Sequence, residues 1–360
     1  MRTVEIDSLP FSLDLLMNEY TKLSLKKKWG SIKTLTLYSE SPFDLLAKTL
    51  NSSEMEVQYN KIFDAEGTIL FSCSALRETI KNGVESHITG NFYALQKMPF
   101  LYLITGERNP FLPKVLAYIA KNLYPTAIRT FVTSDDLLQL LTDFSETKQI
   151  ELRYTEFVYK NMFEKAFTDR RNEKREDRGQ YERFSTAFRK AREQGARVDR
   201  IKVFGKDVSF SISRSGVLKI FLGNFTDYYQ FFISRMGNIA IERWKIFEKR
   251  ARAESPNKQV RPVLVNFDSN VFENVAERKL LIRILADYKN CEYSVIHGGN
   301  PHVYVAILDK IDNSSFTVRT YENNSLILIP QIRTTKSSLV RFSKFLLDKF
   351  QEGIPAEFQL

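Results

Sequence analysis

Apolar positions recur along this chain in two rhythms, one of helical spacing and one of strict alternation. Phe11 to Lys22 keeps the helical rhythm. IKTLTLY alternates like a strand, and a helix follows SPFD, with Asp44 in its first turn, where a carboxylate suits the helix dipole. Between Gly67 and Gln96 two strand-like stretches, GTILFSCSA and ESHITGNFYALQ, are expected to flank a short helix. PFLYLIT reads as a strand, and NPFLPKVLAYIAKNLYP as a helix opened by Asn109-Pro110. SDDLLQLLTDF is a helix with Ser134 as its expected N-cap, and IELRYTEFVYKN is strand-like.

In the second half RIKVFG, VSFSIS and VLKIFLG are consecutive short strands separated by the turn signals Gly205-Lys206 and Ser215-Gly216. A helical pair is expected from about Thr226 to Glu254. PVLVNF then predicts a strand and NVAERKLLIRILADYKN a helix. The strands HVYVAILD, SFTVRTYE and SLILIP follow, and TKSSLVRFSKFLLDKF closes as a helix. This mixture predicts an α+β class: two strand-rich halves with packed helices, joined by a basic helical middle. The expected boundaries are an N-terminal α+β domain at 1–160, a charged helical connector at 161–200 and a C-terminal α+β domain at 201–360.

One echo links the halves. FLYLITGER, from Phe100, aligns without gaps on SLILIPQIR, from Ser325. Leu101, Leu103, Ile104 and Arg108 recur as Leu326, Leu328, Ile329 and Arg333. The helices that follow carry matching stripes, Leu112, Val115, Ile119 and Leu123 against Leu339, Phe342, Leu346 and Phe350. A pseudo-duplication would produce this pattern. So would any two unrelated strand-then-helix units.

Composition narrows the class. With 43% hydrophobic residues in 360, including 28 Phe and 16 Tyr, the chain can bury a normal, aromatic-rich core. No apolar run approaches the roughly 18 residues of a membrane span. The N-terminus carries acids early and lacks an apolar signal segment. Two cysteines, Cys73 and Cys291, make no disulfide framework and suit a reducing compartment. The expectation is a cytoplasmic protein with no membrane partner. A formal charge of +10 favours anionic partners, nucleic acid first.

The charge is densest from Asp169 to Arg200, where eleven basic residues, most of them Arg, stand among seven acidic ones. Guanidinium forks bind phosphate in two places. Tyr181, Phe184, Phe188 and Ala191 fall on one side of a helix, with Arg183, Arg189, Lys190 and Arg192 largely off that stripe. The residues before it, with Arg170, Arg171 and Arg175, contain nothing apolar and read as a helical extension or a loop ordered by a partner. A second segment, Arg235 to Arg261, repeats the design: Ile241, Trp244, Phe247 and Ala251 anchor, and Arg243, Lys249, Arg250 and Arg252 are expected outside. A run of mixed charge is also the ordinary signature of a salt-bridged, solvated face.

Candidate chemistry is sparse. HGGNPH holds His297 and His302, two of the three histidines. They are candidates for acid and base in metal-independent nucleic-acid cleavage. The competing reading is a turn built by Gly-Gly-Asn-Pro. A zinc site with Cys291 would need a further ligand such as Asp309, and the spacing matches no usual zinc module. GxxxxGK[ST], HExxH, GxSxG and GxGxxG are all absent, so neither metal nor cofactor is expected. The sequence-level expectation is a nucleic-acid-binding protein, for DNA or RNA, that holds the phosphate backbone on its mid-chain basic surface. The alternatives are a nuclease using His297 and His302, or an interaction subunit docking an acidic protein partner.

Overall fold

The structure, a computed structural model, describes residues 9–28, 30–51, 54–81, 84–124, 126–161, 175–178, 182–252 and 260–358. It divides into two compact units. The first takes the described residues up to Asn161 and from Arg175 to Asn238, and the second those from Ile239 onward. Each is built on an antiparallel sheet with packed helices, an α+β class.

The first unit runs α1 (Phe11–Leu25), β1 (Ile32–Ser39), α2 (Phe43–Leu50), β2 (Met55–Ala65), β3 (Thr68–Lys81), β4 (Val84–Lys97) and β5 (Phe100–Thr105). A π-helical turn, Leu112–Leu116, leads into α3 (Ala117–Asn122). Then come β6 (Ala127–Arg129), α4 (Ser134–Lys148), β7 (Arg153–Asn161), β8 (Arg175–Arg178), α5 (Phe184–Glu193), β9 (Ala196–Gly205), β10 (Val208–Ser213) and β11 (Val217–Leu222). The sheet order is β2-β3-β4-β5-β1-β11-β10-β9-β7-β8, with β6 also pairing β1.

The helical stretch after β11 has no break: α6 (Phe225–Tyr228), a π turn (Tyr229–Ile233) and α7 (Ser234–Arg250) follow directly, so the expected pair is one continuous stretch. α7 runs from the first unit into the second. The second unit continues with β12 (Val263–Phe267), α8 (Val275–Leu285), β13 (Cys291–Gly298), β14 (Val303–Asp309), β15 (Ser314–Thr320), β16 (Ser325–Pro330), α9 (Lys336–Lys349) and β17 (Gly353–Glu357). Its sheet order is β13-β14-β15-β16-β12-β17.

The echo in sequence is an echo in topology. In each unit a strand, a helix, a four-stranded meander and a second helix precede a strand that returns to pair with the first. The registers correspond. In the first unit Leu35, Leu103, Ala94, Phe71 and Lys61 pair in succession across the sheet. In the second the same path reads Val263, Leu328, Val318, Val305 and Val295. Even the irregularity recurs: the register slips between Lys61 and Phe63 in one unit and between Val295 and His297 in the other. A bulge is a specific local solution, so its recurrence at the matching place argues for duplication beyond shared periodicity.

Two local expectations change. No helix separates β3 from β4 among the described residues: the strands run long and pair up to Lys81↔Val84. The N-cap of α4 is Thr133, not Ser134. The Thr133 hydroxyl accepts from the Asp136 amide at 3.2 Å while the Asp136 carboxylate accepts from the Thr133 amide at 2.6 Å, a reciprocal capping box. The Ser134 hydroxyl is used elsewhere, accepting from the Val198 amide at 3.2 Å.

Helices cover opposite faces of the first sheet in its two halves. α2 and α3 place Phe43, Leu46, Ile119 and Leu123 against Leu35, Leu37, Leu101 and Leu103. On the other face, at β10, Phe144 of α4 meets Phe210, Tyr228 and Phe232 with ring centroids 5.0–6.3 Å apart. Much of the aromatic content is spent in such clusters.

Candidate nucleic-acid interface

The strands of the mid-chain meander are amphipathic. In β9, Ile201 and Val203 are buried, while Arg200, Lys202 and Phe204 alternate with them on the other side, half-exposed. In β10, Phe210 and Ile212 are buried, and Ser209, Ser211 and Ser213 face away from them. In β11, Leu218 and Ile220 go inward, and Lys219 and Phe221 outward. The polar face therefore lies opposite the aromatic cluster of α4.

Strand pairing aligns this face into one transverse row. Thr105 of β5 pairs with Lys33 of β1, Lys33 with Lys219 of β11, and Lys219 with Ser211 of β10. Ser211 pairs with Lys202 of β9, and Lys202 with Glu156 of β7. Neighbouring strands stand about 4.8 Å apart, so three lysines lie along one line across the sheet. The line sinks as it crosses: Lys202 and Lys219 are half-exposed, and Lys33 is 1% exposed.

The row is cationic and short of counter-charge. The only carboxylate in it, Glu156, is held by Arg200 at 2.5 Å. Lys33 donates to main-chain carbonyls, that of Ser31 at 3.2 Å and that of Glu107. Among the described residues none of the three lysines forms an ion pair. The Lys33 amine is lowered to about 8, by burial first and then by the facing Lys219, against a smaller opposing pull from Glu107. Lys219 is lowered by burial first and then by Arg200. The Lys202 ammonium sits over the Phe221 ring, 4.7 Å from its centroid. Phe221 is left unopposed on β10, because Ser209 pairs with Leu222 and Phe210 with Ile220.

The residues expected to hold phosphate have other surroundings. Arg170 and Arg171 lie outside the described residues. Arg175 is in β8, which pairs with β7, so this part of the charged run is a strand and neither a helical extension nor a loop. On α5, Phe184, Ala187, Phe188 and Ala191 are buried, as the stripe predicts. The cations on it and at its N-cap all have carboxylates nearby: Arg183 with Glu151 at 3.4 Å, Lys190 with Glu182 at 3.3 Å, Arg192 with Asp135 at 2.9 Å and Arg189 with Glu193 at 3.9 Å. α5 is thus a salt-bridged face, on the α4 side of the sheet.

On α7, Trp244 and Phe247 are buried as expected, but Arg250 joins their stripe, 6% exposed, with Glu357 at 3.6 Å. Three residues after Phe247 is the same face of a helix, which an outward placement of Arg250 overlooked. Lys249 also meets Glu357, at 3.6 Å. Arg243 and Arg252 are half-buried, and the Arg252 amide donates to the Thr334 carbonyl. α5 and this part of α7 belong to different units.

The histidines lie at a turn. His297 Nε2 donates to the Asn300 carbonyl at 2.5 Å, and the Gly299 amide to the His302 carbonyl. His302 is lowered by burial and then by Arg319. Asp309 is committed to a buried network, its carboxylate held by Arg341 at 2.8 Å and by the Tyr288 hydroxyl at 3.2 Å. The Cys291 thiol is pushed up to about 11, by burial first and then by Asp309. Among the described residues no His, Cys, Asp and Glu cluster forms a metal site. No helix among them is long and apolar enough to cross a membrane.

The chain matches no protein-family model and no curated protein. The transverse row was missed in sequence because its members come from six strands. Part of it had a local signal: Arg200, Lys202 and Phe204 stand at i, i+2 and i+4 of a strand, alternating with the apolar Ile201 and Val203.

Proposed function

We propose that the protein binds nucleic acid, holding the phosphate backbone on the polar face of β9, β10 and β11. The observation that carries this reading is the transverse row: Lys33, Lys219 and Lys202 in register, without ion-pair partners among the described residues, beside Phe221 and Phe204. Cations already matched to carboxylates have little left for phosphate, which favours this face over α5. The whole-chain charge of +10 adds long-range attraction.

The test is fluorescence anisotropy with labelled DNA and RNA oligonucleotides across a salt series. Wild-type protein should bind with a steep dependence on salt. The K202Q/K219Q variant should lose at least tenfold in affinity and about one to two units of the log–log salt slope, while its melting stays native. Unchanged affinity in a natively melting double variant sinks the proposal.

A further inference from the structure

We infer that the ligand of this face is single-stranded nucleic acid, an inference that rests on the nucleic-acid reading above. Two observations exclude a duplex as the better fit. First, the row runs from half-exposed Lys202 down to buried Lys33. A duplex is stiff over a persistence length of about 150 base pairs and presents its phosphates on a rigid cylinder. Such a surface meets protruding cations and does not follow a line that sinks into a sheet. A single strand can bend into it. Second, Phe221 and Phe204 stand half-exposed among the cations. Duplex bases are stacked on one another and offer these rings nothing. Unpaired bases stack on aromatic side chains irrespective of sequence.

The two details of this face agree. Phe221 sits at a bulge with no partner on β10, and bulges are common beside binding sites. Lys202 already lies over that ring at 4.7 Å, so a base stacked on Phe221 brings its phosphate beside an ammonium. At the deep end, Lys33 and Lys219 face each other directly, an arrangement that is unfavourable when empty of counter-charge. A phosphate at the half-exposed Lys219 relieves the repulsion, without touching Lys33.

The experiment is competition anisotropy at fixed salt with a twelve-nucleotide single strand and the same sequence annealed, each as DNA and as RNA. The single strand should bind at least tenfold more tightly than the duplex. F221A should weaken the single strand about tenfold and leave residual duplex binding unchanged, while K202Q weakens both. The ratio of the DNA and RNA arms identifies the favoured sugar. Equal affinity for single strand and duplex, or an F221A variant that binds single strands normally, overturns this inference and leaves the nucleic-acid reading standing. No binding of any of the four overturns both.

Discussion

Lys33 shows what a single residue conceals. Written in sequence, a lysine within IKTLTLY looks like an outward position of a half-buried strand. β1 is buried along nearly its whole length, and the amine is held by two carbonyls. Its depressed proton affinity has a consequence for stability. Below about pH 8 Lys33 is charged in both folded and unfolded chains, and the desolvation cost is present in full. Above it, the folded chain releases the proton while the unfolded chain keeps it up to about 10.5, so this group's contribution to stability rises with pH. The melting temperature of wild type should therefore gain on that of K33M between pH 8 and pH 10. A constant difference between the two across that range would show that the amine is not desolvated. Arg250 is the opposite case. Its burial was legible, because position 250 shares a helix face with Trp244 and Phe247, but its charge drew attention outward.

At the scale of elements, periodicity served well where one face is buried and failed where context decides. The amphipathic helices and alternating strands of the second half follow their patterns. The stretch ALRETIK did not, because helix-compatible residues were extended by pairing with β4. Junctions are set by chemistry that pattern does not express. At one of them, Gly216 has φ +71° and closes the turn between β10 and β11. A Cβ there would stand 2.5 Å from Thr130 Oγ1. Gly195 has φ +62° with nothing within 4 Å. Both glycines bear the conformational cost of an added side chain, but only Gly216 bears the clash. G216A should lower the urea midpoint more than G195A, with the former costing upward of about 1 kcal/mol. Equal shifts would mean that Thr130 moves aside freely.

For the molecule as a whole, the α+β class and the repeat were legible because strand-then-helix units leave periodic traces. The candidate site was not. Residues 33, 156, 202, 211 and 219 are neighbours only after the sheet has formed, and no spacing in the chain announces it. Charge counting pointed to the densest run, whose cations on and beside α5 are matched by Glu182 and Glu193 of the run and by Glu151 and Asp135 from outside it. Those paired residues still contribute to the field that a polyanion meets at a distance. R189E/R192E should slow association with single strands at low salt, by several-fold, and leave dissociation nearly unchanged in stopped-flow measurements. A faster dissociation would place these arginines in direct contact with the ligand.

The sharing of β1 sets a limit on how this face was acquired and on how far it can be altered. In the second unit β17 takes five residues of β12 as its partner. In the first unit β6 takes only Leu37 to Ser39 of β1, and β11 takes Ile32 to Leu35. Thr36 stands at the divide, its amide bonded to the Gly216 carbonyl and its carbonyl to the Thr130 amide. Hydrogen-bonding places along a strand edge are finite, and here two claimants divide one edge between them. A chain in which β6 grew toward the length of β17 would evict β11 pair by pair, and the row of lysines would come apart with it.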